Sequence, residues 1–538
     1  MCSSRALYIW RACSGTSQVG IRSHRRNLGK TYCSACDPTP TPKSANSTTK
    51  PLPKPPADHR ILGAQQELFT TSKYSPGSAI FLPNGTKIFN RLTNYLRSQY
   101  EHFGFQEVIT PTIYKKSLWE KSGHWENYAE DMYSVTGRGA MGKKVDRQVG
   151  EDEEYGLKPM NCPGHCLIFA SKKRSYKDLP IRFADFSPLH RNELTGALSG
   201  LTRGRRFHQD DGHIFCRPSQ IREEISKSLQ FVRQTYSVFG LGPYRLVLST
   251  RPSVSYIGTI EEWDNAEAAL KESLDASGQA WTLNEGDGAF YGPKIDIILK
   301  DSDGKEHQTA TIQLDFQLPK RFELEYQAPA PELEQKGLST ENVDLSIEGP
   351  VTPVLIHRAV LGSVERIMAL LIERYDGWWP FWLNPQQVII VTLNDREEVV
   401  AWAKAIKRDL LMARDDTPVP EAIRNFGGVT GLSIDIDDSA QPLKKKLYDA
   451  KRKRYGVVIV VGNKDVQEKK MSVDFTGLSS GNYDFTRNVD LLKAAKILSR
   501  QDPSQPRAAS LTEWQLKNMP LSIDVLKKVL QELRLGYY

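Results

Sequence analysis

Hydrophobic residues in the first two thirds of the chain favour strands over helices. Apolar positions from Ile88 to Leu96 recur at helical spacing, which predicts a helix over residues 85–105 that ends at Gly104. Apolar runs predict strands at 105–109, 181–191, 205–216, 244–250, 294–299, 312–316 and 352–357, before a helix at 362–375. Because few helices are expected between these strands, the pattern is typical of an α+β domain with an antiparallel sheet.

A different pattern begins after Trp382, where strands and helices alternate. Strands are predicted at 388–393, 431–436 and 456–462, and helices at 396–413 and 442–453. This alternation is typical of an α/β domain with a mostly parallel sheet. We therefore expect two folded domains, at residues 57–384 and 385–538.

The net charge of +8 comes from the N-terminal segment and not from the two expected domains. Residues 1–56 hold nine Lys or Arg residues and one acid, Asp37, which accounts for the whole excess. Residues 1–36 contain arginines, serines and no acidic residue, which is typical of a mitochondrial transit peptide; a disordered basic tail is the alternative. Residues 37–56 are rich in Pro, Ser, Thr and Lys, which predicts a linker.

The apolar runs and the cysteine content indicate the kind of compartment in which we expect the protein. No run of about 18 apolar residues occurs in the sequence, so we expect no transmembrane helix and no membrane partner. Four of the seven cysteines lie in the predicted leader, and Cys162, Cys166 and Cys216 are too few for a disulfide framework. A reducing compartment fits this cysteine content.

The strands predicted at 181–191 and 205–216 carry polar side chains that favour a binding pocket. Side chains alternate along a strand, so one face of the second strand carries Phe207, Gln209, Asp211, His213 and Phe215. Arg191 and Glu193 share a face of the first strand. An amide, a carboxylate and an imidazole in a row would form a poor core. A polar pocket and a solvated edge strand both stay open on this pattern alone.

A thiol and two imidazoles are candidate metal ligands. A thiolate from Cys162 and neutral imidazoles from His213 and His357 can hold zinc and leave one coordination position open. Their separations of 51 and 144 residues form no recognised zinc spacing, however, and a single histidine is more often a structural residue. From the residues alone, a zinc site and three structural side chains both stay open.

Five short segments, in this order, resemble the motifs of the threonyl-tRNA synthetases, which are class II aminoacyl-tRNA synthetases. They are 160–165 (MNCPGH), 191–193 (RNE), 209–213 (QDDGH), 356–359 (IHRA) and 365–366 (ER). The resemblance covers about residues 57 to 385. It implies a class II catalytic domain in which Cys162, His213 and His357 bind one zinc ion per subunit.

The resemblance also implies an ATP site and assigns residues to it. Arg191 contacts the α-phosphate and the amino-acid carboxylate, and Arg366 clamps the other side of the nucleotide. Glu193 binds the adenine amino group, Phe207 stacks on the ring, and Arg203 contacts the γ-phosphate. The remaining residues implied to line the ATP site are Gln308 and Thr311. Mg²⁺ accompanies the nucleotide.

The amino-acid site follows from the same resemblance. Zinc would coordinate the amino and hydroxyl groups of threonine, and valine would be rejected because it lacks the hydroxyl. Asp211 holds that hydroxyl, and Lys294 lies near the carboxylate and the acceptor end of the tRNA. His124 is similar to a histidine that assists the 2′-hydroxyl of the terminal tRNA adenosine, with a structural histidine as the alternative. The residues implied to line the threonine pocket are Met160, Gln209, Tyr291 and Gln313.

The expected activity is that of a threonine–tRNA ligase in the mitochondrial matrix. It would activate L-threonine with ATP to threonyl-adenylate and transfer the threonyl group to tRNA(Thr). The helix and strand over 85–111 resemble the segment at the family's dimer interface, so we expect a homodimer. The C-terminal domain resembles an anticodon-binding domain. We expect no separate editing domain, because residues 1–56 and the loop predicted at 136–155 are too short or too polar to build one, and serine should then be misactivated.

Two alternatives are weighed against this expectation. A catalytically inactive RNA-binding paralogue would be favoured by loss of Arg191, Arg366 or a zinc ligand, but all of these residues are present. Seryl- and prolyl-tRNA synthetases share the arginines but not the combination of one cysteine and two histidines.

Overall fold

The computed structural model describes residues 56–137, 154–254, 256–338, 348–412, 430–479, 492 and 516–537. These residues belong to one compact unit, Pro55–Tyr538. The predicted leader, nearly all of the predicted linker and most of the loop predicted at 136–155 lie outside the described residues. No helix within the described ranges is long and apolar enough to cross a membrane.

An eight-stranded sheet forms the centre of the larger region. Its strands in chain order are β1 (Gln106–Glu107), β2 (Ile181–Asp185), β3 (Asp211–Cys216), β4 (Arg245–Ser249), β5 (Trp281–Asn284), β6 (Lys294–Lys300), β7 (Glu306–Asp315) and β8 (Val354–Ala359). The order across the sheet is β5-β4-β6-β7-β8-β3-β2-β1. The β4–β5 and β1–β2 pairs are parallel, and the other pairs are antiparallel. The predicted antiparallel sheet is therefore confirmed, with a parallel pair at each edge.

Long helices cover one face of this sheet. They are α1 (Pro83–Phe103), α3 (Ile221–Val238), α4 (Ile260–Ala276) and α5 (Val364–Arg374), while α2 (Cys162–Ala170) contributes to the candidate site. Helix α1 ends at Gly104 as predicted, because this glycine takes the left-handed conformation with φ of 73°. The sequence pattern did not predict α3 and α4, which bury Phe231 and Leu270 in the same core as Ile214 of β3.

The two strands predicted at 181–191 and 205–216 are each divided into two. The breaks separate β2 from Pro188–His190 and Arg206–His208 from β3, and the two short pieces pair with each other. Asp185 accepts a hydrogen bond from the backbone N–H of Ser187 (2.7 Å) at the first break. Asp210 accepts from Arg358 and from two backbone N–H groups at the second. Both interruptions are therefore held by a buried carboxylate.

A second sheet with its own core follows residue 387. Its strands are β9 (Val388–Thr392), β10 (Ile434–Asp437), β11 (Val457–Val461), β12 (Met471–Asp474) and β13 (Met519–Leu521), in the order β10-β9-β11-β12-β13. Its helices are α6 (Glu397–Leu411), α7 (Leu443–Arg452) and α8 (Ile523–Leu535). Strands β10, β9 and β11 are parallel as predicted, but β12 and β13 add antiparallel pairs, so this sheet is mixed.

The remaining elements are short. The helices are His59–Gln65, Lys116–Ser122, His124–Asn127, Gln317–Arg321, Pro331–Gln335 and Asn463–Glu468. Phe69–Thr70 pairs with Ile80–Phe81, Tyr326–Pro329 pairs with Glu348–Val351, and Tyr155–Leu157 pairs with both Ile113–Lys115 and Ser134–Val135.

Candidate active site

Strands β3, β7 and β8 place a row of polar side chains on the sheet face opposite the main core. His213 lies beside His357 in the β3–β8 pair, and Gln313 lies beside His357 in the β7–β8 pair. The residues that alternate with them, such as Ile214 and Ile356, are buried in the main core. The alternation predicted for the strand at 205–216 therefore holds, and Phe215, on the same face as His213, packs with Cys162 in a smaller apolar cluster.

The three predicted metal ligands converge. One ligand atom from each of Cys162, His213 and His357 lies within 4.8 Å of the other two. Nε2 of His213 is 2.9 Å from Nδ1 of His357, and Cys162 begins helix α2. All three side chains are buried. One thiol and two imidazoles converging on one point are a donor set that suits zinc with an open position, so the residues present fit a metal ion.

Burial sets the protonation of these groups. It raises the pKa of the Cys162 thiol well above its ordinary value, and it lowers the pKa of His213 well below its ordinary value. A neutral imidazole is the form that binds a metal, whereas a thiol must lose its proton when a metal binds. His357 is oriented by Asp315, whose carboxylate oxygen lies 2.8 Å from Nε2 and leaves Nδ1 directed toward His213.

A cavity of about 470 Å³ lies beside the three ligands. The predicted site residues that line it are Met160, Arg191, Glu193, Arg203, Phe207, Gln209, Asp211, His213, Tyr291, Lys294, Gln308, Thr311, Gln313, His357 and Arg366. Two predicted site residues, Cys162 and His124, are not part of its lining. The structure therefore brings most of a set spread over more than 200 residues of chain to one cavity.

Three arginines contribute to the cavity lining. The guanidinium of Arg191 lies 5.1 Å from the centre of the Phe207 ring. Arg203 donates to the carboxylate of Glu193 at 2.8 Å. Arg366 occupies the first turn of α5, as predicted, and donates to the backbone carbonyls of Thr202 (3.0 Å) and Gln308 (2.6 Å). Arg191 and Glu193 do not share a strand face, because Pro188–His190 ends before them. Both nevertheless reach the cavity.

Smaller polar groups line the cavity beside the metal ligands. Tyr291 donates from its hydroxyl to Gln313, and its ring stacks on His357 with the centres 5.0 Å apart. Asp211 accepts from the side-chain amide of Asn161 at 3.1 Å through Oδ2. Its other oxygen, Oδ1, is 3.9 Å from Nε2 of His213. One carboxylate oxygen of Asp211 is thus engaged by Asn161, while the other faces the metal ligands.

Lys294 and two neighbours are held by a carboxylate that sequence reasoning did not single out. Asp296 accepts from Lys294 at 2.7 Å, from Gln308 at 2.5 Å and from Thr311 at 3.2 Å. These four side chains lie on the adjacent strands β6 and β7, whose register places Asp296 opposite Thr311. Alternation on the strand predicted at 294–299 was the available signal for Asp296.

The structure buries His124 completely and turns it toward Cys162. Its Nε2 atom is 3.8 Å from the Cys162 sulfur, and its Nδ1 atom is 2.8 Å from the hydroxyl of Ser122. Burial lowers the pKa of His124 to about 3, so the imidazole is neutral at physiological pH. The structure therefore does not bring His124 to the cavity wall.

Two family models and several known proteins match parts of this chain. The class II core domain model for glycyl, histidyl, prolyl, seryl and threonyl tRNA synthetases matches residues 144–375, and the anticodon binding domain model matches residues 387–477. The probable mitochondrial threonine–tRNA ligase of Schizosaccharomyces pombe is 47% identical over 455 residues, which cover 84% of this chain and 91% of that protein. The mitochondrial threonine–tRNA ligase of Saccharomyces cerevisiae is 47% identical over 445 residues, which cover 80% of this chain and 88% of that protein.

A solved structure gives the same result. The crystal structure of the RNA binding domain of threonyl-tRNA synthetase from Cryptosporidium parvum Iowa II has a TM-score of 0.66 and 42% sequence identity. The match covers 79% of this chain and 94% of that chain. The chain belongs to the threonyl-tRNA synthetase family.

Membership in this family confirms the class II fold and the C-terminal anticodon-binding domain expected from the sequence. The part matched as the class II core contains Cys162, His213 and His357 as well as both arginines, Arg191 and Arg366. His124 precedes the matched core.

Proposed function

We propose that the chain is a threonine–tRNA ligase that activates L-threonine with ATP and transfers it to tRNA(Thr) in mitochondrial translation. The observation that carries this proposal is the convergence of Cys162, His213 and His357 beside a cavity that also holds Arg191 and Arg366. Its relatives with 47% identity are named as mitochondrial threonine–tRNA ligases, which supports the same substrate and location.

One zinc ion per subunit is the metal we propose for the three ligands. A buried thiolate and two neutral imidazoles suit zinc better than the oxygen-preferring cations Ca²⁺ and Mg²⁺. When bound, zinc would coordinate the amino and hydroxyl groups of threonine. Asp211 would accept a hydrogen bond from the threonine hydroxyl, since its Oδ1 atom faces the ligands while Oδ2 is held by Asn161. Valine has no hydroxyl and would leave this buried carboxylate unpaired.

The rest of the threonine pocket fits a small polar amino acid. We propose that Met160, Gln209, Tyr291 and Gln313 enclose it, because all four line the same cavity as His213 and His357, and Tyr291 and Gln313 lie beside His357. The hydrogen bond from the Tyr291 hydroxyl to Gln313 orients both side chains. A fixed pocket loses little conformational entropy on binding.

We propose that the arginines lining the cavity bind ATP together with Mg²⁺. Arg191 and Arg366 would stabilise the charge on the α-phosphate when the threonine carboxylate attacks the phosphorus and pyrophosphate leaves. Arg203 would bind the γ-phosphate. The side chains proposed to hold the adenosine and line its site are Glu193, Phe207, Gln308 and Thr311. Because Arg203 donates a hydrogen bond to Glu193, contacts of both side chains with ATP would replace this hydrogen bond.

Lys294 and His124 are proposed to act in transfer to the tRNA. Lys294 reaches the cavity and is held by Asp296, which supports a position near the threonine carboxylate. Nε2 of His124 faces Cys162, so assistance to the 2′-hydroxyl would require the ring to turn toward the cavity. Single-turnover transfer from preformed threonyl-adenylate, measured with His124→Ala, distinguishes a role in transfer from support of the Cys162 side chain.

A homodimer is proposed through the segment that follows α1. Strand β1 is the edge of the large sheet, and the next residues expose apolar side chains: Ile109 is 87% exposed and Ile113 is 43% exposed. An apolar segment beside a sheet edge is a surface that proteins usually cover.

The domain boundaries and the mitochondrial matrix location remain our proposals. We propose a transit peptide at 1–36, a linker at 37–56, the catalytic domain at 57–384 and the anticodon-binding domain at 385–538. The relatives named as mitochondrial support import into the organelle.

Charging of tRNA tests the proposed function. The purified protein should attach radiolabelled threonine to a tRNA(Thr) transcript, and Arg191→Ala should lower the rate by about 10²–10³-fold, the usual cost of removing one transition-state charge stabiliser. A protein that binds tRNA(Thr) but never charges it would favour the inactive RNA-binding alternative.

A further inference from the structure

A third buried histidine, His165, stands directly behind the metal ligand His213. It lies on helix α2, three residues after Cys162, and its side chain is fully buried. Nδ1 of His165 is 2.8 Å from Nδ1 of His213. We propose that His165, backed by Asp185, is a positioning residue that fixes the ring and the tautomer of His213 for metal binding. This inference rests on the zinc site in the proposed function.

The positions of the protons follow from the geometry. Nε2 of His213 faces Cys162 and His357, so metal binding requires a lone pair on Nε2 and places the ring proton on Nδ1. That Nδ1–H points at Nδ1 of His165, which must therefore accept the hydrogen bond. The proton of a neutral His165 then resides on its own Nε2 atom. When a metal is bound, only this arrangement of protons allows His213 to donate a hydrogen bond to His165.

Asp185 is the last group in the series that runs from His213 through His165. Nε2 of His165 has no hydrogen-bond partner among the described residues, and the nearest carboxylate oxygen, Oδ2 of Asp185, is 3.9 Å away. A negative charge in this direction favours the proton on Nε2, which is the tautomer required above. Asp185 is itself held in place, because it accepts from the hydroxyl of Thr110 at 2.6 Å and lies 3.8 Å from the ammonium of Lys158.

Each of the two histidine ligands thus has a carboxylate behind it, 2.8 Å from His357 itself and 3.9 Å from the His165 ring that contacts His213. His357 is oriented by Asp315 directly, whereas His213 is oriented by Asp185 through the intervening ring of His165. Hydrogen-bond partners behind a metal ligand fix its ring and raise its basicity, and their loss typically costs 10–100-fold in metal affinity. Packing is the competing role for His165, since its ring contacts Phe183 edge-on with the centres 6.0 Å apart. A residue that only fills space can be replaced by leucine without loss of zinc affinity.

Zinc affinity of the purified protein, measured by competition with a chromophoric chelator, separates the two roles. His165→Leu keeps much of the volume but removes the acceptor, so we expect zinc affinity to fall about 10–100-fold. His165→Asn places an amide oxygen where Nδ1 stood and should stay within about threefold of the wild type, a small change beside that loss. The control is Cys166→Ala, a buried neighbour on the same helix, which should lower the melting temperature but not the zinc affinity.

The outcomes distinguish the inference from the proposed metal site. A wild type that binds zinc tightly, with a folded His165→Leu that binds equally tightly, would overturn the role of His165 alone. A wild type that binds no zinc would overturn the metal site and this inference with it. Should His165→Leu fail to fold, His165→Asn is compared with His165→Gln, whose acceptor lies at the Nε2 position instead. Equal zinc affinities, or equal ligand-field spectra of the Co(II)-substituted pair, would then contradict the proposal.

Discussion

Cys162 and Cys216 are both buried thiols that lie on opposite sides of the large sheet. Cys162 packs with Phe215 in the small cluster near the cavity, whereas Cys216 packs with Ile214 in the main core. Cys216 therefore faces away from the side of the sheet that carries His213. The difference makes the two cysteines a matched pair for testing the metal site.

Cys162→Ser should abolish zinc binding, and Cys216→Ser should leave it intact. A serine hydroxyl is a far weaker zinc ligand than a thiolate, and two imidazoles alone do not form the usual three-residue site. Zinc content after gel filtration, measured by atomic emission, checks this. Full metal retention in Cys162→Ser would refute the assignment.

Asp211→Asn should weaken the use of threonine more than the use of ATP. The carboxylate is buried between Asn161 and the metal ligands, and a hydrogen bond to a charged group contributes about 1.5–3 kcal/mol, so kcat/KM for threonine should fall about 10–100-fold. Steady-state kinetics with each substrate varied in turn provide the measurement. An unchanged kcat/KM for threonine together with a raised KM for ATP would place Asp211 in the ATP site and contradict its role in binding threonine.

At the scale of single residues, the sequence predicted which side chains line the site better than it predicted which residues those side chains contact. The cavity lining was predictable because its residues lie in short motifs that the family resemblance carries over. The partners of the ligands were not: Asp315 and Asp185 are 42 residues from His357 and 20 residues from His165, and tertiary packing alone sets their distances. For His124, the motif could not indicate that the ring faces Cys162 and not the cavity.

At the level of elements, helix α5 carries Arg366 into the cavity, and its first turn is capped by Ser363. The Ser363 hydroxyl accepts from the backbone N–H of Arg366 at 3.1 Å. The same residue whose side chain we propose to bind ATP is therefore fixed by the helix cap.

Ser363→Ala should cost about 1 kcal/mol of stability and also slow threonine activation. The rate should fall because the first turn of α5 loosens around Arg366, while KM for threonine changes little. Ser522→Ala is the matched control, since Ser522 caps α8 in the second sheet region in the same way. If the two variants lose the same stability in urea denaturation and activate threonine at the same rate, the Ser363 cap has no effect on catalysis.

The elements themselves were predicted unevenly. Helix α1 and the three parallel strands of the second sheet, β9, β10 and β11, followed from apolar spacing, within a few residues at each end, whereas β12 and β13 were not predicted. Helices α3 and α4 were missed, although Thr259 caps α4 together with Glu262, a local signal that periodicity does not register. The breaks at Asp185 and Asp210 depend on hydrogen bonds to residues that are distant in sequence or in the turn itself, so the apolar pattern ran through them.

For the whole molecule, the exposed apolar segment after β1 bears on assembly. Ile109→Asp should convert the proposed homodimer to a monomer, because a charge in an apolar interface is costly to bury. Sedimentation velocity measures the change, and Val254→Asp is the control because Val254 is 89% exposed and far from this segment in sequence. A wild type that sediments as a monomer, or an Ile109→Asp variant that remains dimeric, would remove this interface.

The central claim is that this site activates threonine and recognises its hydroxyl group. ATP–pyrophosphate exchange measures activation without tRNA and so depends on the catalytic domain alone. We predict exchange with threonine, a kcat/KM about 10–200-fold lower with serine, which lacks one methyl group, and one about 10⁴-fold lower with valine, which lacks the hydroxyl. No exchange with threonine, or exchange with valine that matches threonine, would contradict the account.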